Sequence, residues 1–327
     1  MPHSRFAVFS LNSGRLLGER VASHLGIHLG SHEEREFEWG QHKARPLESV
    51  RGADVYVVQS LHGQAGESVN DKLCRLLFFV GALRDAGARW VTAVVPYLCY
   101  SRKDRQTKHR DPVTTRYVAA LFEAVGVDRV VTLEVHNLAA FQNAFRCQTE
   151  HLGARGAFAD LIASQFGDRD LVVVSPDPGG IKRANSYRDA ISHRLGRAVP
   201  TGFVEKRRSD DVVSGDLVVG EMEGRTVVLV DDLISGGTTL AHAADACRRS
   251  GAQAVIAVAA HGAFAHEASR VLGSAPLDRI AILDHIPPTE VDETLRAKLL
   301  VLNSAPLFAE AIRRLHAGSP LGDLLDP

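Results

Sequence analysis

The segment RTVVLVDDLISGGTTL, residues 225–240, gathers residue types that can hold a phosphorylated sugar. It reads as a buried strand, two carboxylates, a loop of small residues and a helix start. Ser235, Gly236, Gly237, Thr238 and Thr239 carry no bulky side chains, so their backbone N–H groups can wrap a phosphate. The helix that follows points its positive end at the same place. Asp231 and Asp232 stand one loop away and can accept hydrogen bonds from vicinal hydroxyls. One end suits a phosphate and the other a diol, which describes a pentose 5-phosphate. The competing reading is a plain strand–helix turn with acids at the strand end; the Asp pair and the loop hydroxyls weigh against it.

Other candidate groups are scattered along the chain. Arg102, Lys103 and Arg105 follow a strand that ends near Pro96–Tyr97; alone, they read equally well as a solvated basic loop. Lys206, Arg207 and Arg208 precede SDDVVSGD, a polar segment that could turn as a flap, although such a triplet is by itself more often a surface patch. No GxxxxGK[ST] motif exists, so a P-loop kinase mechanism is unsupported. Asp177 sits between the strand LVVVS and Gly179–Gly180, where an oxygen ligand can meet Mg2+, a hard ion. His136 follows the strand VVTLE. A neutral imidazole is a poor inner-sphere Mg2+ ligand, so His136 would act through water or on a phosphate; a histidine at a domain interface is the alternative. The remaining histidines show no zinc-ligand spacing. Phe37, in EFEWGQHKARP, could be a core aromatic at a strand edge.

These residues need a scaffold. The chain has 327 residues, 45% hydrophobic and 24% charged, with a formal net charge of -1. That balance argues against nucleic-acid binding by bulk positive charge. A chain of this length splits into about two domains. No apolar run approaches the ~18–20 residues that span a bilayer, and the start MPHSRFAVFS lacks a secretory pattern. Cys74, Cys99, Cys147 and Cys247 lie far apart with no CxxC pair, which suits reduced, mostly buried thiols in a cytoplasmic protein.

Short apolar runs alternate with helical patterns. The predicted strands are Phe6–Phe9, Val55–Gln59, Val91–Val95, Val130–Leu133, Leu171–Ser175, Val199–Val204, Val227–Val230, Val255–Ala259 and Ile280–Leu283. Ser68 and Asp71 form a capping box before a stripe of Leu73, Leu76, Leu77 and Val80. Asp111 and Pro112 are placed to start a second helix, with Tyr117, Val118, Leu121 and Val125 inward. A third begins near Thr238, buries Leu240, Ala243, Ala244 and Cys247, and stops at Gly251. This alternation predicts an α/β fold of two domains, each a mainly parallel sheet flanked by helices. The expected bounds are residues 1–150 and 151–317, with a tail at 318–327 that frays.

The 225–240 segment resembles the phosphoribosyl diphosphate (PRPP) loop shared by type I phosphoribosyltransferases and ribose-phosphate diphosphokinases. Further segments resemble the diphosphokinases in particular: SVNDKLCRLLFFVGALRDAGA (68–88), VTAVVPYLCYSRKDR (91–105), VVSPDPGGIKRA (173–184), Lys206–Arg208 and HGAF (261–264). The resemblance runs collinearly from about Phe6 to Leu307. It implies two phosphoribosyltransferase-like domains, of which only the second keeps the ribose-phosphate loop. It implies transfer of the β,γ-diphosphoryl group of ATP to the C1 hydroxyl of ribose 5-phosphate, giving PRPP and AMP. It also implies Mg2+ and a homo-oligomer, dimer-based and commonly hexameric. By the same resemblance, Lys206 and Arg208 are catalytic and reach over the transferring group. Asp231, Asp232 and Ser235–Thr239 bind the sugar phosphate. Phe37, Arg102, Lys103, Asp104 and His136 bind ATP, with Phe37 stacking on a neighbouring subunit's adenine. His136 and Asp177 belong to the metal site. A non-catalytic regulatory paralogue is the alternative, and a PRPP-consuming phosphoribosyltransferase a weaker one, since the first domain has no role there.

This chain departs from the family pattern at several positions. Gln41 replaces a usual acid, and Lys103 a usual Gln. Glu134-Val135-His136-Asn137 stands where Asp-Leu-His-Ala is common. Ser235, Gly236 and Thr238 stand where Asp, Thr and Gly are usual. The basic pair, the metal-site residues and the tandem Asp are retained, as expected of a divergent but active member.

Overall fold

The computed structural model describes residues 5–205, 217–265 and 267–325. It contains two compact units. One holds the chain up to Gly153 together with the stretch from Ser304; the other is Ala154–Asn303.

The first unit runs β1 (Phe6–Phe9), α1 (Arg15–Leu25), β2 (His32–Glu36), β3 (His42–Pro46), β4 (Asp54–Val58), α2 (Val69–Asp85), β5 (Trp90–Val95), α3 (Thr114–Ala124), β6 (Arg129–Leu133), α4 (Leu138–Ala144) and β7 (Gln148–Leu152). Its main sheet is parallel throughout, in the order β1-β4-β5-β6-β7, and β2 pairs with β3 as a separate antiparallel hairpin. The strands are apolar because helices cover them. The α2 capping box is present, with Ser68 and Asp71 each accepting from the other's backbone N–H. Leu73, Leu76, Leu77 and Val80 of that helix are buried, each contributing about 1.5–3 kcal/mol.

Lys72 continues the same stripe one turn earlier and is also buried. Its Nζ donates to Gln64 Oε1 at 3.0 Å and lies 3.4 Å from His62 Nε2. Burial lowers the Lys72 amine to about 8. Burial, and then the neighbouring Lys72, push His62 down to about 3, so it stays neutral in the folded protein. An unfolded chain protonates His62 near its ordinary value, so folding loses stability as pH falls from about 6.5 towards 3. We expect wild-type stability in urea to fall more steeply between pH 6 and pH 4 than that of His62→Gln, by about 1.4 kcal/mol per pH unit. Equal slopes would show that His62 takes up its proton in the folded state.

The second unit runs α5 (Arg155–Phe166), β8 (Leu171–Ser175), α6 (Ile181–Leu195), β9 (Thr201–Glu205), β10 (Leu217–Val219), β11 (Thr226–Ile234), α7 (Thr238–Arg249), β12 (Ala254–Gly262), α8 (Ala268–Ser274), β13 (Arg279–Leu283), α9 (Glu293–Arg296) and β14 (Leu299–Leu302). Its sheet has the order β10-β9-β8-β11-β12-β13-β14, parallel except for β10 against β9. Val227–Val230 proves to be the first part of a longer strand. β11 stays paired with β12 through Ile234, so Asp231 and Asp232 lie on the strand itself. Leu240, Ala243, Ala244 and Cys247 of α7 are buried as expected.

Several expectations are corrected. The strand predicted at Val199–Val204 begins only at Thr201, after Pro200, which has no N–H to give a ladder. Asp111 does not start α3, which runs from Thr114; its carboxylate accepts from the Thr107 and Lys108 N–H groups and the Thr107 hydroxyl. The buried stripe of α3 is Thr115, Val118, Ala119 and Phe122, one helical face, while Tyr117 and Leu121 are exposed. Cys99 and Cys247 are buried, but Cys74 is exposed; all four thiols are free.

The end of the chain also differs. α10 (Ala305–Ala317), expected in the second domain, packs along α1 of the first unit. Arg313 Nη2 donates to the His24 carbonyl at 2.9 Å, and His316 Nδ1 lies 2.9 Å from Asp54 Oδ2, its ring stacked on Phe6. The segment expected to fray instead forms α11 (Gly322–Leu325), whose Leu324 carbonyl accepts from Gly153 N–H.

Candidate active site

In the second unit the chain leaves β8 towards β9 on one side of the sheet, and β11 lies on the other side of β8. At such a reversal the loops after the two central strands part and leave a crevice at their carboxyl ends, the usual ligand position in an open α/β sheet. Here those loops carry Asp177, after β8, and Asp231 to Thr239, at the end of β11.

The β11 end is built for a small anion. Gly237 has φ 79°, and a Cβ there would fall 2.5 Å from Leu272 Cγ, so only glycine fits. No side chain caps the first turn of α7, a helix of 12 residues. Its leading N–H groups can therefore serve a phosphate. The HGAF segment braces this loop: the N–H groups of Ala263 and Phe264 donate to the Ile234 carbonyl, and that of Ala265 to the Ser235 carbonyl.

The tandem carboxylates are shielded, Asp232 almost completely, with 5% of its surface exposed. Arg183 of α6 reaches both. Its Nη1 lies 3.5 Å from Asp231 Oδ1 and its Nη2 3.5 Å from Asp232 Oδ2. Burial, followed by the hydrogen bond and charge of Asp232, raises the Asp231 carboxyl above the ordinary range, while Arg183 opposes that rise. Asp177 Oδ1 accepts from Gly180 N–H at 3.1 Å, and the Ser175 hydroxyl donates to the Asp177 carbonyl at 2.5 Å.

In the first unit, Arg102, Lys103 and Arg105 are exposed in the turn-rich segment between β5 and α3. Asp104 accepts from Asn137 Nδ2 at 2.8 Å. The same Asn137 caps α4, its Oδ1 accepting from Ala140 N–H. β5 and β6 are neighbours, so their carboxyl ends bring the basic loop beside His136-Asn137. Phe37 sits at the tip of the β2–β3 hairpin, 45% exposed, with the Arg35 guanidinium 5.5 Å from its ring centre. The hairpin is tied down through Glu34, which accepts from Asn12 N–H and lies 2.8 Å from His32 Nε2 and 3.1 Å from His42 Nε2. Burial works to raise the Glu34 carboxyl, but these hydrogen bonds outweigh it and hold it below the ordinary range.

Comparison with known proteins places this architecture. Residues 6–126 match the N-terminal domain of ribose phosphate pyrophosphokinase, and residues 214–326 match the phosphoribosyl synthetase-associated domain. Ribose-phosphate pyrophosphokinase 1 of Streptococcus pneumoniae serotype 4 is 36% identical over 334 residues, covering 100% of this chain and 98% of its own. This chain belongs to the ribose-phosphate pyrophosphokinase family. The protein of the same name from Streptococcus pyogenes serotype M1 is 36% identical over 335 residues, 100% of this chain and 99% of its own. The crystal structure of phosphoribosylpyrophosphate synthetase from Mycobacterium smegmatis superposes with a TM-score of 0.86 at 31% identity, covering 97% of this chain and 100% of that one. The family fold of two phosphoribosyltransferase-like domains is therefore the fold of this chain.

Within that family frame, the predicted residues fall into groups. Asp177, Asp231, Asp232 and Ser235–Thr239 converge on the crevice of the second unit. Arg102, Lys103, Asp104 and His136 follow the carboxyl ends of β5 and β6 in the first, and Phe37 stands on its hairpin. Lys206 and Arg208 lie outside the described residues; the strand positions flanking them, Glu205 and Leu217, are paired with each other. Arg183 is the residue that reading the sequence missed. It stands in the quoted segment VVSPDPGGIKRA, six residues after Asp177, but its reach to β11 is a tertiary fact. Asn137 was noted only as a departure, and its bond to Asp104 gives that departure a structural use.

Proposed function

We propose that the protein transfers the diphosphoryl group of ATP to the C1 hydroxyl of ribose 5-phosphate, forming PRPP and AMP. The observation that carries this is the pairing, on one strand–helix joint, of two shielded carboxylates with an uncapped, glycine-dependent phosphate loop. The loop and the α7 N-terminus hold the 5-phosphate, and Asp231 and Asp232 accept from the 2- and 3-hydroxyls. That grip leaves C1 as the end of the sugar free to react. The C1 oxygen bonds to the β-phosphorus as the bond from that phosphorus to the α,β-bridging oxygen breaks; the bridging oxygen leaves with AMP, and the hydroxyl proton passes to solvent.

ATP carries about four negative charges that must be neutralised and aligned. Arg102, Lys103 and His136 supply positive charge and donors from the first unit, and Lys206 and Arg208 supply further cations by their place in the family pattern. Asp104, held by Asn137, braces the basic loop. Phe37 stacks on adenine, and its exposure on a projecting hairpin suits a partner subunit in a homo-oligomer. Among the described residues no helix is long and apolar enough to cross a membrane. The cytoplasmic reading rests on the family resemblance and the well-separated cysteines.

Magnesium fits the donors available. Asp177 offers a hard carboxylate: Oδ1 is engaged by Gly180, and Oδ2 has no partner among the described residues. Among these residues no group of three or more His, Cys, Asp or Glu side chains could hold a metal alone. A site of one or two protein ligands completed by phosphate and water is how Mg2+ is commonly held. Asp177 would hold it in the second unit. When bound, the ion supplies charge neutralisation at the transferring phosphates.

The test is to incubate the protein with ATP, ribose 5-phosphate and Mg2+ and follow AMP and PRPP. Equal amounts of both are expected. Ligand binding without turnover would indicate a regulatory paralogue, and PRPP consumption with a nucleobase, releasing diphosphate, a transferase.

A further inference from the structure

The mechanism above uses Asp231 and Asp232 but not the group between them. Arg183 projects from α6, 18% of its side chain exposed, and spans two carboxylates whose side chains are 22% and 6% exposed. Both nitrogen–oxygen separations are 3.5 Å. That is ion-pair distance, longer than a direct hydrogen bond. The guanidinium thus supplies charge to both acids, while Asp231 Oδ1 also accepts from the Asp232 N–H at 2.8 Å. Only a planar fork of two N–H groups can face two carboxylates at once in this way.

Two adjacent shielded acids tend to share a proton, because both cannot ionise cheaply. A protonated acid donates where a sugar hydroxyl needs an acceptor. The charged groups acting on Asp231 are Asp232 on its own strand, which raises its proton affinity, and Arg183 on the helix packed against it, which lowers it.

We propose that Arg183 is a positioning residue of the ribose site: its charge holds Asp231 and Asp232 side by side as a paired acceptor for the vicinal hydroxyls. This rests on the ribose 5-phosphate reading of the crevice. It assigns Arg183 to recognition of the diol rather than of the phosphate, which the loop 235–239 takes.

The experiment titrates ribose 5-phosphate and 2-deoxyribose 5-phosphate into the full-length wild type, Arg183→Gln and Arg183→Lys, by calorimetry at pH 7 and pH 8.5. Loss of charge support should weaken ribose 5-phosphate binding by Arg183→Gln about ten- to a hundredfold. The deoxy sugar lacks one of the two hydroxyls, so its loss should be several times smaller. Arg183→Lys restores a charge but not the fork and should bind between wild type and Arg183→Gln, and the ribose 5-phosphate defect should shrink at pH 8.5. Arg183→Lys keeps the comparison readable if Arg183→Gln does not fold. Equal losses for the two sugars, or no loss, overturn the proposal while leaving the functional reading intact. A wild type that binds neither sugar overturns both.

Discussion

Gly237→Ala should abolish most ribose 5-phosphate binding and destabilise the second unit, whereas Gly236→Ala should do neither. The two positions are adjacent, equally small and equally part of the loop, but they differ in backbone and surroundings. Gly237 occupies the left-handed region at φ 79°, and an added Cβ would meet three Leu272 carbon atoms between 2.5 and 2.8 Å. At Gly236 nothing lies within 4 Å of an added Cβ. The left-handed backbone costs a side-chain-bearing residue about 1–2 kcal/mol. Crowding against a packed leucine adds about 1–3 kcal/mol, unless the loop shifts to relieve it. A shift displaces the N–H groups that begin α7, so affinity falls along with stability, on the order of a hundredfold. Urea midpoints and a sugar-phosphate titration of both variants check this. Similar behaviour of the two variants would mean that the loop conformation is not what binds phosphate.

Asp232→Ala should raise the KM for ribose 5-phosphate by about a hundredfold or more and leave that for ATP within a few-fold. Asp232 is the more deeply shielded of the pair, and its loss removes one acceptor of the diol and one of the carboxylates facing Arg183. Removing one partner of a buried charge pair costs about 3–5 kcal/mol when the other is stranded. Here Asp231 remains opposite Arg183, so the fold should survive with a smaller penalty. Phe37, Arg102, Lys103, Asp104 and His136, proposed for ATP, belong to the first unit and are unchanged by this substitution. Steady-state kinetics with each substrate varied in turn read this split directly. Equal rises in both KM values would point to general damage, and an unchanged sugar KM would remove Asp232 from the diol site.

Much of the scaffold was readable because fully covered parallel strands are unbroken apolar runs. Phe6–Phe9 and Leu171–Ser175 appear in the structure with the expected bounds. The phosphate loop was legible because small residues, carboxylates and a helix start coincide in one segment. What escaped notice depended on partners distant in sequence. HEERE gives no apolar signal for β2; its inward residues, His32 and Glu34, satisfy one another. Lys72 occupies the buried stripe of α2, against the expectation that a charge faces water, because Gln64 and His62 meet its amine. Arg183 carries no mark in its own segment that it will reach across to β11. The place of α10 was equally hidden, since its apolar face does not name α1 as its partner.

That last placement bears on how the chain is made. Residues 304–325 emerge from the ribosome only after every strand of the second unit has done so. The later-encoded unit therefore has all its parts in hand first, and the earlier one waits with its α1 face uncovered. A stalled or clipped nascent chain ending near Asn303 would leave the amino-terminal half, not the carboxyl-terminal one, as the species exposed to chaperones and proteases.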